Sequence, residues 1–287
     1  MKTVMFPGQG AQYTGMGAAL FPRFPHHTRR ASEIVGYDLA ELCVHDPQHR
    51  LTATEYTQPA VYVVNALAYF AQQDAATTPD FLLGHSLGEY NALLAAGAFD
   101  FETGLRLVFK RGELMAAASD GGMLAVLNLT AREIEDILQA YQITGIDIAN
   151  YNTDSQIVVS GSAAAIEQAK TAFAERAVSI NPLKVSAPFH SRHMQPARDE
   201  FAAFLKGFSF APIAIPVIAN SSARPYRSAD IAGMLSEQIT SPVCWYESIR
   251  YLLDQDANMT FSEIESSILT KMVARIRAVQ DAPAATL

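Results

Sequence analysis

The pentapeptide Gly84-His85-Ser86-Leu87-Gly88 poses the chemical question of this chain. It spells G-x-S-x-G, with apolar Phe81-Leu82-Leu83 before it and a helical pattern (Leu93, Leu94, Ala96) after it. Glycines without a Cβ let a strand and a helix pack closely while the chain bends sharply between them. Ser86, at the tip of the bend, is expected in a strained conformation, with its hydroxyl in solvent over the N-terminus of the next helix. An alkoxide or oxyanion formed there meets free backbone N–H groups and the positive helix end.

A serine nucleophile needs a base. Of the seven histidines, His26, His27, His45 and His49 lie in a polar early region and read as surface residues. His85 adjoins Ser86, which turns its side chain away from the hydroxyl. His190 and His193 remain. His190 stands between an apolar approach (Val185, Pro188, Phe189) and a polar turn, the setting of a residue at a pocket mouth, and is the favoured base. Its imidazole would take the Ser86 proton as the oxygen attacks a thioester carbonyl. The proton then goes to the leaving thiol and an acyl-serine remains.

These residues need a scaffold, and the hydrophobic pattern outlines one. Residues 3–6 read as a first strand, followed by the glycine-rich loop Pro7-Gly8-Gln9-Gly10-Ala11-Gln12. That loop lacks the G-K-[ST] of a phosphate loop and completes no dinucleotide fingerprint. Residues 20–43 are helical in parts, 60–73 form a helix with Pro59 near its start, and 101–118 form another carrying Arg111. From Gly121-Gly122 the pattern changes. Strands at 123–129, 146–149, 156–160 and 178–185, with helices at 131–141 and 163–176, follow the β-α-β-β-α-β order of a ferredoxin-like unit. Beyond Pro188 come a buried strand at 213–218, helices at 231–239 and 245–253, a strand at 259–264, a helix at 268–279 and a frayed tail at 281–287. The fold class expected is α/β: an α/β-hydrolase-like large subdomain (1–121 and 188–287) with an inserted ferredoxin-like small subdomain (122–187).

Bulk properties narrow the function classes. The chain has 287 residues, 49% hydrophobic and 17% charged, which is a globular composition. Its formal charge of −8 argues against a nucleic-acid groove or an anionic membrane as the main partner. Cys43 and Cys244 are too few for a disulfide framework and suit a reducing cytoplasm. Residues 1–5 carry too little apolar length for a signal peptide, and the apolar run 92–99 is too short to span a bilayer. The histidines and cysteines show no paired metal-ligand spacing.

The chain resembles the malonyl-CoA:acyl-carrier-protein transacylases, the acyltransferase family of fatty-acid and polyketide synthesis. The resemblance rests on Phe6-Pro7-Gly8-Gln9-Gly10-Ala11-Gln12, Thr57-Gln58-Pro59-Ala60, Gly84 to Tyr90, Arg111-Gly112-Glu113-Leu114-Met115, Asn150-Tyr151-Asn152, Gln156-Ile157-Val158-Val159-Ser160-Gly161, Phe189-His190-Ser191, and Gln238 with Ser241-Pro242-Val243 and Trp245. These run in family order over nearly the whole chain, and more narrowly it looks like the free-standing acyltransferases that serve polyketide synthases lacking their own. The resemblance implies Ser86 as nucleophile and His190 as base. It implies Gln9 and the Leu87 N–H as the oxyanion hole, Arg111 as the grip on the malonyl carboxylate, and the Gln238 carbonyl as the group orienting the histidine. A guanidinium can pair both carboxylate oxygens in a fork. Phe189 would crowd an added α-methyl, worth about 1–3 kcal/mol of discrimination. The implied partners are malonyl-CoA and an acyl carrier protein. No cofactor is implied, because coenzyme A arrives and leaves with the substrate.

One segment departs from the family. Where a Gly-Pro-Gly-type turn usually precedes the last helix, this chain has Glu263-Ile264-Glu265-Ser266-Ser267. Two other readings stand beside acyl transfer: an acyl hydrolase that clears acyl groups from carrier proteins with the same Ser86 and His190, and, because of this altered segment, a catalytically weak carrier-docking protein. Arg111 favours transfer. Because carrier proteins are acidic and this chain is too, docking should use a local basic patch, for which Lys271, Arg275 and Arg277 are the candidates.

Overall fold

The computed structural model describes residues 1–72, 78–185 and 187–280. Two four-stranded sheets organise it. The larger unit holds β1 (Lys2–Phe6), β2 (Phe81–Gly84), β7 (Val217–Ile218) and β8 (Thr260–Glu263), in the order β7-β2-β1-β8 and all parallel. A parallel sheet is covered on both faces, so its strands read as continuous apolar runs. Successive residues still point to opposite faces. Val4, Phe6 and Leu82 pack toward α3 (Thr54–Gln72), α4 (Gly88–Ala95) and α5 (Phe101–Ala117). Met5, Leu83 and Ile218 pack toward α10 (Trp245–Gln255) and α11 (Ile268–Gln280).

The smaller unit is antiparallel: β3 (Gly121–Leu127), β4 (Ile146–Tyr151), β5 (Gln156–Ser162) and β6 (Ser179–Pro182), in the order β4-β5-β3-β6. With α6 (Ala131–Ala140) and α7 (Ala163–Glu175) this is the ferredoxin-like arrangement. α6 starts at a capping box in which the Thr130 and Glu133 side chains each bond the other's backbone N–H. One sheet face, with Leu124, Val126, Ile157 and Val159, buries against Ile134, Ile166 and Phe173 of the two helices. Met123, Ala125 and Val158, on the other face, join the core of the larger unit. The α/β class with a large and a small unit is therefore what the chain adopts.

Several elements differ from the sequence reading. α3 begins at Thr54, so Pro59 lies inside the helix. Having no N–H, it forfeits one backbone bond near the helix start. The strand expected at 213–218 narrows to Val217–Ile218 and that at 178–185 to Ser179–Pro182. Each is the end strand of its sheet and pairs with its neighbouring strand only over these residues. The sequence reading missed α8 (Gln195–Leu205), although Ala197, Phe201 and Leu205 make a buried stripe at four-residue spacing. The expected frayed tail, 281–287, lies outside the described residues.

Candidate active site

Parallel strands deliver their following loops to one edge of the sheet, where α/β proteins bind ligands. Here the loop after β1 brings Gln9, the bend after β2 brings Ser86, and the segment after β7 brings Asn220. The bend is built from backbone in contact with backbone. A Cβ on Gly84 would lie 1.9 Å from the Gly88 carbonyl carbon, one on Gly88 2.1 Å from the Phe6 oxygen, and one on Gly8 2.3 Å from the His85 oxygen. Ser86 has φ 49°, the left-handed region that a side chain adopts at a cost. Asn220 holds it there: its Oδ1 accepts the Ser86 N–H at 2.6 Å and its Nδ2 donates to the Gly84 carbonyl at 2.6 Å. The Ser86 hydroxyl is not out in solvent as expected; the residue is half-buried.

His190, 104 residues further on, lies 2.7 Å through Nε2 from the Ser86 Oγ. Its Nδ1 faces the carbonyls of Gln238 and Ser241, each at 3.0 Å. Two carbonyls can only accept, so Nδ1 carries the proton and Nε2 is left bare to receive the serine's. Burial, reinforced by the nearby Arg111 charge, lowers the imidazole to about 3 and keeps it neutral. The other histidines are elsewhere: exposed His193 bonds the Gly145 carbonyl at 3.0 Å, and His85 pairs with Asn152 at 3.0 Å. His27 is half-buried beside Phe70 and Phe101 and is not a simple surface residue.

Arg111 is 1% exposed, which excludes a solvated helix arginine. Its Nη1 donates to Gln58 Oε1 at 2.8 Å, and its Nη2 to Gln238 Oε1 at 3.0 Å and to the Ser86 Oγ at 3.2 Å. Its Nε is buried without a partner. Among the described residues no carboxylate forms an ion pair with it. A buried cation held by neutral amide oxygens is a receptor for an anion, since burying a charge is costly until it is paired. The Gln9 side chain is tied to Thr54 Oγ1 at 3.1 Å. The Gln9 and Leu87 backbone N–H groups have no protein partner among the described residues. Gln9, Ser86, Arg111, Phe189 and His190 share one cavity of about 330 Å³, roofed by Met123 and Val158 of the smaller sheet.

Comparison with known proteins decides the family. The profile described as an acyl transferase domain matches residues 3–287. The chain belongs to the acyl transferase family. It is 52% identical over 96% of its length to the polyketide biosynthesis protein ThaF of Burkholderia thailandensis, although it spans only 24% of ThaF. It is 50% identical to the polyketide biosynthesis malonyl CoA-acyl carrier protein transacylase BaeC of Bacillus velezensis, with 96% of this chain and 97% of BaeC covered. Among solved structures, the malonyl CoA-acyl carrier protein transacylase of Burkholderia pseudomallei superposes with a TM-score of 0.95 at 50% identity, covering 99% of both chains.

In this acyltransferase the departing turn is held by residues other than glycine. Glu265 has φ 51°, the conformation a glycine would take freely. The Glu263 carboxylate accepts the Leu269 N–H at 3.1 Å and the Thr270 N–H at 2.8 Å, capping α11. Leu269 and Met272 line the cavity, so this cap fixes one of its walls. The sequence reading overlooked Asn220, which lies in none of the motif strings, and quoted Gln58 and Ser241 only within such strings, with no role for either. It quoted Glu89 only as part of the elbow string.

Proposed function

We propose that this acyltransferase transfers a malonyl group from malonyl-CoA, through Ser86, to the phosphopantetheine thiol of an acyl carrier protein in polyketide or fatty-acid synthesis. The observation that carries the reading is Arg111: a buried guanidinium without a carboxylate partner among the described residues, 3.2 Å from the nucleophilic oxygen and inside its cavity. A substrate with a free carboxylate would complete it in a fork. A hydrolase for plain acyl groups has no use for it.

Each half-reaction balances on the residues present. His190 Nε2 takes the Ser86 proton as Oγ bonds to the thioester carbon. The Gln9 and Leu87 N–H groups receive the oxyanion. The tetrahedral adduct collapses by breaking the C–S bond, and the coenzyme A sulfur takes the proton from Nε2. The second half runs in reverse, with the carrier thiol giving its proton to Nε2 and attacking the acyl-serine. The Gln238 and Ser241 carbonyls stabilise the transient imidazolium, so no acidic third member is needed. Phe189, 6% exposed in the cavity wall, narrows the room for an α-methyl. The reaction calls for no cofactor beyond the thioester substrate. Its setting is the cytoplasm.

Incubation with labelled malonyl-CoA tests the proposal. The parent protein acquires a covalent label that a holo carrier protein then removes, and Ser86→Ala acquires none. An unlabelled parent protein, or release of the label as free malonate faster than transfer, would sink it.

A further inference from the structure

Behind the Ser86–His190 pair lies a carboxylate that no step above uses. Glu89, in the first turn of α4, is 1% exposed. Its Oε1 accepts the Tyr226 O–H at 2.6 Å and the Asn220 backbone N–H at 3.2 Å. Its Oε2 accepts Nε2 of Gln238. All three partners are donors, so the site is built for an acceptor with no N–H of its own.

The consequence passes through Gln238. Its Nε2 donates to Glu89 and, at 2.9 Å, to the Ser86 carbonyl. With the NH2 end pinned by two acceptors, the Oε1 end must face Arg111, whose Nη2 it receives at 3.0 Å. A flipped amide would set donor against donor and push the guanidinium from its place. Gln238 also keeps the two charges from direct contact. The carboxylate remains close enough to offset the buried cation, yet does not occupy the fork that an incoming anion needs. A carboxylate touching Arg111 directly would compete with the substrate.

We infer that Glu89 is a positioning residue for acyl selectivity: by pinning the amide of Gln238 it holds Arg111 in the pose that receives a carboxylated acyl group. The inference rests on the reading of Arg111 as the carboxylate clamp.

The test is the ratio of kcat/KM for malonyl-CoA to that for acetyl-CoA, which lacks the carboxylate, at about pH 8, where Glu89, pushed up to about 7 by burial, is ionised. In Glu89→Gln the ratio falls at least about tenfold, the worth of one misplaced charge-assisted hydrogen bond. A second variant keeps the test readable should that one fold poorly. Combining Glu89→Gln with Gln238→Glu restores the donor–acceptor match between the two side chains but sets a carboxylate against Arg111. Its ratio also stays at least about tenfold below the parent's. A Glu89 that merely supports the fold predicts equal losses for both substrates, and so an unchanged ratio, in the single variant, and that result overturns the inference. A double variant that regains the parent's ratio overturns it too, because the side chain at 238 would then not set the pose of Arg111. A parent enzyme indifferent to the carboxylate would overturn the clamp reading and this inference with it. A selective parent whose ratio survives in both variants overturns the inference alone.

Discussion

At the scale of single residues, the site works by withholding water from charged and basic groups. His190 has no water-like environment to stabilise its cation, and Arg111 stands close by, so the imidazole is lowered to about 3. The sign of the pH dependence follows. A base with an ordinary value near 6.5 would be about thirtyfold depleted at pH 5, whereas His190 remains free there. Single-turnover acylation of Ser86 by acetyl-CoA, which makes no use of the Arg111 clamp, should therefore stay flat from about pH 7.5 to pH 5. A fall with a midpoint near 6.5 would contradict this. The same shift bears on stability. The unfolded chain takes up a proton below about 6.5 that native His190 refuses, so this group's contribution is lost as pH drops from there toward 3.

At the scale of elements, strand ends and turns decide where the chemistry sits. The elbow after β2 tolerates no side chain at Gly84 or Gly88, because backbone already fills the space. The turn before α11 shows the opposite economy: Glu265 occupies a left-handed conformation that its Cβ disfavours by about 1–2 kcal/mol. Glu265→Gly should relieve that strain, less the extra entropy glycine has when unfolded, for a net gain of about 0.5–1 kcal/mol. A raised midpoint in denaturant unfolding, with an unchanged slope, would register it. An unchanged or lowered midpoint would show that the turn is unstrained. Activity should survive, because the Glu263 cap, and with it the wall made by Leu269 and Met272, is untouched.

At the scale of the whole molecule, the two sheets enclose the cavity between them, and charge governs who reaches it. A chain of net charge −8 repels an acidic carrier at long range, so association depends on local cations. Lys271 and Arg275 are exposed on α11, near Ile268, which is 41% exposed and lines the cavity. Arg277 does not belong with them. It is half-buried, donates to the Met259 carbonyl and lies over the Phe261 ring, so its role is to hold α11 to β8. Arg275→Glu should slow transfer to a carrier protein several-fold at low salt, and less at high salt, while leaving self-acylation by malonyl-CoA unchanged. Equal slowing of both steps would place the carrier elsewhere. Arg277→Glu should instead lower the unfolding midpoint.

Much of this protein was legible in the chain itself. Period-two and period-3.6 hydrophobicity gave away the β-α-β-β-α-β unit, because each of its strands and helices buries one face locally. The G-x-S-x-G string and the apolar approach to His190 pointed to the nucleophile and its base, and the resemblance to the transacylases implied the roles of Arg111, Gln9 and Phe189. The parallel sheet's order was not legible, because neighbouring strands come from distant parts of the chain: Lys2–Phe6 lies between Phe81–Gly84 and Thr260–Glu263. For the same reason Asn220, Ser241 and the amide of Gln238 drew no notice as a network, and Glu89 was quoted only within the elbow string. Sequence alone determined which groups could react. Tertiary structure decided the proton's place on His190, the burial of Arg111 among neutral amide oxygens and the pinning of Gln238 by Glu89, because hydrogen-bond direction and desolvation depend on neighbours that only folding supplies.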